Sequence, residues 1–212
     1  MKIEKKHLTF DFNDGNGPVP AHQHQNGGGW VAETAHVEDT ARVSGNALVF
    51  GDAQVFGNAR VYGNAQVFGD ALVFGDAQVY GDARVLDTAR VSGNAQVSGD
   101  ARVLDTARVS GNAQVSGNAQ VYGDAQVYGD ARVSGNAMVF GDASIQPVFI
   151  NGLAWPITIL DTEMQIGCER HTFDEWKKFK DNRISKMDTR ALEWWKIHKA
   201  PIMAMVKAAR TN

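Results

Sequence analysis

Alanine recurs at every sixth position from Ala35 to Ala143, and valine at every sixth from Val31 to Val139, with Ile145 continuing the series. Nineteen hexads, from WVAETA at 30–35 to MVFGDA at 138–143, follow one another without an insertion or deletion. Self-similarity at a short fixed period is the mark of a solenoid, in which each repeat buries its apolar face only by stacking on its neighbours. In A-x-V the alanine and valine share one face, because side chains alternate along a strand. The residues flanking each valine then point outwards. The Gly-Asp or Gly-Asn that follows tolerates turn conformations and makes a corner. Sides of six residues at constant phase close most simply into a triangular coil of three hexads. The expectation is an all-β solenoid of about six coils, roughly 30 Å long at about 4.8 Å per coil, with a thin continuous core of Ala and Val.

Composition changes on either side of this block. Residues 30–145 hold seven Arg, no Lys and thirteen acids, whereas 146–212 hold eleven bases and eight acids. Three segments are therefore expected: an N-terminal strand and linker cap (1–29), the solenoid (30–145) and a small α+β module (146–212). The cap comprises a strand within Ile3–Phe12 and a loose polar connector, NDGNGPVPAHQHQNGGG; its task is to cover the open end of the coil. In the module, Asn151-Gly152 signals a hairpin. Thr172-x-x-Glu175 is a capping box that starts a helix through Trp176 and Phe179. A second helix is expected from near Asp188 or Thr189, with Ala191, Trp194, Trp195 and His198 on one face and Ile202, Met205, Val206 and Ala209 as another i, i+3, i+4, i+7 set. Pro201 should kink or split it, and the adjacent Trp194 and Trp195 are read as an anchor onto the solenoid.

Over 30–145 the sequence resembles the hexapeptide-repeat left-handed parallel β-helix superfamily, which shares the aliphatic residue and the small residue two places before it. The chain departs from that pattern directly after the aliphatic residue. There it carries Phe, Tyr, Leu or Ser with Gly one step later, instead of a small or acidic residue. This VYGDA/VSGNA style, together with the tail, is similar to phage and prophage hexapeptide-repeat proteins. The resemblance implies left-handed coiling, a homotrimer built through flat faces, and the cytoplasm of a bacterial host. A single cysteine, Cys168, and the lack of a leader-like apolar run agree with that compartment. No membrane partner is expected, and the net charge of −3 does not call for nucleic acid.

Grouping hexads by three sorts the outward residues into faces. The first carries Trp30, Leu48/Phe50, Gln66/Phe68, Arg84/Leu86, Arg102/Leu104, Gln120/Tyr122 and Met138/Phe140, a large apolar group on every coil. The second carries His36, Gln54/Phe56, Leu72/Phe74, Arg90/Ser92, Arg108/Ser110 and Gln126/Tyr128. The third is the most polar. A continuous apolar column is more than a monomer leaves in water, which favours self-association through it.

Residues 84–101 and 102–119 differ only at Asp100 and Asn118. In these two coils Ser and Leu replace the rings and four arginines appear, Arg84 above Arg102 and Arg90 above Arg108. Stacked like charges repel unless something anionic intervenes. One answer is a ladder of salt bridges to Asp87, Asp105 and Asp100. The other is a ligand site formed by Arg84, Arg90, Arg102, Arg108, Tyr122 and Tyr128, because guanidinium forks match phosphate or carboxylate and aromatic rings stack on bases. An anionic, nucleotide-like small molecule is the ligand that this second answer points to.

The resemblance also raises an acyltransferase, which requires a histidine between subunits to deprotonate the acceptor. His36 is the only histidine in the hexads, at one end, and no loop interrupts the coils. The carbonic-anhydrase branch requires three metal-binding histidines that the coils lack. His22-x-His24 with His36 is a poor metal set in a Gly-rich setting, and Cys168 with His171 reads as a turn rather than a catalytic pair. No catalytic residue, metal or cofactor is therefore assigned. The reading is a non-catalytic homo-oligomeric binding protein, with an acyltransferase, or a rigid spacer presenting the module to a protein partner, as alternatives.

Overall fold

A computed structural model describes residues 8–141, 143, 147–150 and 152–208. The chain divides into two compact units, 1–146 and 147–212.

The first unit is a parallel β-solenoid. Among the described residues, its coils comprise nineteen short strands, β3 (Trp30–Ala32) to β21 (Met138–Val139), one for each hexad. Each pairs in parallel with the strand 18 residues away, so that Val49 lies opposite Val31 and Val67 opposite Val49. Three ladders result, carrying the first, second and third faces read from the sequence. The alanines from Ala41 to Ala131 and the valines from Val43 to Val139 are fully buried. Burying a valine is worth roughly 1.5–3 kcal/mol, so the core draws its strength from repetition rather than from large side chains.

Corner geometry follows from the glycines. Gly99 adopts φ +68°, and a Cβ there would come within 2.9 Å of the Gly117 nitrogen in the next coil. After the glycine, side-chain amides and carboxylates form directional ladders. Asn46 donates to Asn64 and Asn64 to Asp82, while Asn94 donates to Asn112 and Asn112 to Asp130, at 2.9–3.1 Å. Each of these two runs ends on a carboxylate, which only accepts.

The N-terminal segment differs from a loose connector. Within it, β2 (Val19–Gln23) pairs antiparallel with β1 (Thr9–Phe10) and with β3, extending the first ladder past its end. The Gly27–Gly29 run lies against the Val43 backbone, where Gly29 donates to the Val43 carbonyl at 2.9 Å. This explains the glycines: a Cβ on Gly27 would sit 2.5 Å from the Val43 oxygen. Val31 and Val43 are thereby fully buried, whereas Val37, at the head of the second ladder, stays partly exposed. Of the strand expected over Ile3–Phe12, residues 3–7 lie outside the described residues.

The second unit has a four-stranded antiparallel sheet, β22 (Val148–Ile150), β23 (Ile157–Ile159), β24 (Glu163–Ile166) and β25 (Glu169–Thr172), in sequence order. The first two strands form the expected hairpin, Ile150 opposite Ile157; Asn151 itself lies outside the described residues. The capping box is present: Thr172 Oγ accepts the Glu175 N–H, and the Glu175 carboxylate accepts the Thr172 N–H. It opens α1 (Phe173–Lys178), which ends one residue before Phe179. A short α2 (Asp181–Ile184) intervenes before α3 (Ala191–Ala208). Pro201 does not split α3. In α3 the members Ala191 and Trp195 of the first set and Ile202 and Val206 of the second form one buried stripe, while Met205 is exposed; Ala209 lies outside the described residues. Trp195 belongs to the unit's own core beside Trp176, and Trp194 packs edge-on against Trp155.

Candidate functional site

The solenoid places the six arginine and tyrosine candidates on two faces. Arg84, Arg102 and Tyr122 stand on the first, and Arg90, Arg108 and Tyr128 on the second. Arg84 is directly opposite Arg102, and Arg90 directly opposite Arg108, one coil apart.

The salt-bridge ladder expected at these arginines is absent. Among the described residues none of the four has an ion-pair partner, and all are exposed. The carboxylates nearest in sequence are turned elsewhere. Asp87 and Asp105 occupy the corner position that glycine holds in other coils, with φ of 58°. Each carboxylate reaches along the solenoid to accept a backbone N–H of the next coil, Asp87 from Asp105 at 3.2 Å and Asp105 from Gly123 at 2.8 Å. A corner in this conformation directs the side chain along the axis and away from the face that carries the arginines. Thr88 and Thr106 complete the same corners by donating to the Asp105 and Gly123 carbonyls.

Around Arg90 and Arg108 the second face forms a hollow of about 420 Å³. Its ends are rings, Phe74 and Tyr128; its floor is Ser92 and Ser110; its side is Arg90, Arg108 and Gln126. The serines cause it. Outward residues two apart on a strand form parallel columns about 6–7 Å apart, so a missing ring leaves space beside each arginine. On the first face Leu86 and Leu104 fill the corresponding rungs and stay half-buried. Two unpaired guanidinium groups, two hydroxyls, an amide and two aromatic faces suit an anion attached to a planar ring. Phe74, Ser92, Ser110 and Gln126 were not among the sequence candidates. Their signal was the column itself, in which two serines interrupt a run of rings.

Other candidates are dispersed. His22 pairs with Glu33 at 2.8 Å, whereas His24 is buried and accepts the Asn26 N–H through Nδ1. His36 stands exposed at the head of the second ladder. Among the described residues no group of three His, Cys, Asp or Glu side chains is placed to hold a metal. Cys168 lies exposed in the turn between β24 and β25, and His171 pairs with Glu169 at 2.9 Å rather than with the thiol. A second pocket, of about 90 Å³, lies within the C-terminal unit among Trp155, Trp176, Trp194 and Trp195. Its acids are already engaged, Glu169 with Arg183 and His171, and Asp188 with Arg190. It is smaller than the solenoid hollow and lacks an unpaired charge. No described helix is long and apolar enough to cross a membrane.

Segments 41–55, 53–67, 77–93, 95–111, 107–123, 113–129, 125–139 and 131–145 match the model of the YdcK beta solenoid repeat. The chain is a β-solenoid repeat protein. No curated protein and no solved structure matches it. The matched segments include Arg90, Ser92, Arg108, Ser110, Gln126 and Tyr128 but not Phe74, and the hexads run through the hollow of this β-solenoid protein without an inserted loop.

Proposed function

We propose that this β-solenoid protein is a non-catalytic binding protein that holds an anionic, nucleotide-like small molecule. The observation that carries the reading is the hollow in which Arg90 and Arg108 stand unpaired between the rings of Phe74 and Tyr128. Stacked guanidinium groups repel each other in the free protein. An anion would relieve that repulsion and gain charge-assisted hydrogen bonds. Self-association accompanies the reading: half-buried Phe68, Leu86, Leu104 and Tyr122 form an apolar column on the first face. A homotrimer would bring the first face of one chain, with Arg84, Arg102 and Tyr122, towards the second face of the next and close the hollow into a cleft. The likeness to phage proteins adds a use, the sequestration of a host defence signal.

Native mass spectrometry of the purified chain with ADP tests this. Expected is an oligomer that retains ADP and returns it chemically unchanged, with retention lost in Arg90→Ala/Arg108→Ala. A bare monomer that retains no ADP would overturn the reading. Consumption of a bound acyl donor would instead establish the acyltransferase alternative.

A further inference from the structure

The second face shows how the solenoid builds an aromatic column when nothing interrupts it. Phe56 and Phe74, one coil apart, stack with centroids 4.9 Å apart and planes within 6°. The same arrangement recurs for Phe50 and Phe68 on the first face and for Tyr62 and Tyr80 on the third. In these three pairs outward rings stack at the pitch of the coils, whereas Tyr122 and Phe140 on the first face tilt by 56° at 6.3 Å.

Continuing the second column from Phe74 gives Ser92, Ser110 and then Tyr128. Three coil steps, about 14–15 Å, separate the two rings, and the two rungs between them are vacant. The third face also turns to serine, at Ser98, Ser116 and Ser134, but no ring closes that run and glutamines, not arginines, accompany the first two of its serines. On the first face leucines fill the rungs. Among the described residues, a gap bracketed by rings and flanked by unpaired arginines occurs on the second face. Arg90 shares its strand with Ser92, and Arg108 with Ser110, so each vacant rung has its own guanidinium. Gln126 adds an amide beside Tyr128, able to donate to or accept from a base edge.

From this we infer that the ligand supplies the two missing rings: a dinucleotide whose bases stack between Phe74 and Tyr128 while Arg90 and Arg108 hold its phosphates. This rests on the reading of the hollow as an anion site and specifies it further. Two planar rings at the coil pitch complete the column, whereas a mononucleotide leaves one rung empty. Each stacked base strengthens binding to an aromatic platform by roughly ten- to a hundredfold.

The test is calorimetric titration of the intact chain with diadenosine pyrophosphate, AMP and inorganic pyrophosphate. The dinucleotide is expected to bind at least about tenfold tighter than either smaller probe. Ser92→Phe/Ser110→Phe, which rebuilds the column while keeping both arginines, should remove that advantage. Should this variant fail to fold, Ser92→Leu/Ser110→Leu makes the same test, since leucines occupy the equivalent rungs of the first face. Equal affinity for all three probes would overturn the two-ring inference and leave the anion site standing. Undiminished dinucleotide binding by a filled variant would also overturn it. Binding of none of the probes would remove both.

Discussion

The Asp105 carboxylate accepts the Gly123 N–H at 2.8 Å from a corner, φ 58°, where glycine stands at residues 51, 69 and 123. A left-handed backbone at a residue with a Cβ costs about 1–2 kcal/mol, and the bond to the next coil offsets it. Asp105→Ala keeps the strain and loses the bond, so it should destabilise the solenoid by roughly 1–2 kcal/mol. Asp105→Gly loses the bond but also the strain, and should fall within about 0.5 kcal/mol of the parent. Urea denaturation of the two variants checks the difference; equal losses would mean that the left-handed corner carries no strain for a residue with a Cβ.

The amide ladder has a direction that a single atom reverses. Asn112 accepts from Asn94 and donates to Asp130 at 2.9 Å. Asn112→Asp places two carboxylates face to face and raises the pKa of the pair. A raised folded-state pKa contributes stability at low pH that is lost as pH rises through it. The deficit of Asn112→Asp should thus be about 1 kcal/mol at neutral pH and shrink towards pH 4. Asn112→Ala, without the second carboxylate, should show a deficit independent of pH across the same range.

Stacked, unpaired arginines should weaken the protein. Arg90 faces Arg108 in register without an intervening acid. Arg90→Gln is expected to raise the unliganded melting temperature, by the equivalent of roughly 0.2–1 kcal/mol at low salt. Salt screens exposed charges, so the gain should shrink at several hundred millimolar NaCl. A loss of stability at low salt would show that the pair is not repulsive.

In the C-terminal unit, backbone and side-chain hydrogen bonds from Thr172 hold the Glu175 carboxyl below its usual 4.5. A depressed folded-state pKa gives stability that is complete above the unfolded value and lost as pH falls through the folded one. Helix α1 should therefore loosen on acidification below about pH 4.5. Thr172→Ala should flatten this acid dependence, as followed by hydrogen exchange at Trp176 and Lys177.

Legibility in the sequence varied with the range of the interaction concerned. The hexads dictate strand, corner and ladder register, because each valine can stack only on the valine 18 residues away; Arg84 opposite Arg102 followed directly. Strand β2 carried no such signal. VPAHQ becomes a strand by pairing with Trp30–Ala32, a tertiary cause that its Pro and flanking glycines disguise. Helix α2 has no side-chain cap to announce it. The expected salt bridges failed at the corner: proximity in sequence put Asp87 near Arg84 and Arg90, but a positive φ turned its carboxylate along the axis. Phe74 went unremarked because a filled rung draws no attention until the next two are seen to be empty.

Residues 84–101 and 102–119, which differ at a single position, are also the coils that hold Ser92 and Ser110. Such neighbours are interchangeable parts, and mispaired recombination between them would add or delete one whole turn without disturbing the phase of any corner. The space between Phe74 and Tyr128 then changes in fixed steps of about 4.8 Å. Copying or deleting one cassette would in this way lengthen or shorten the space between the two rings, with no need to redesign a loop.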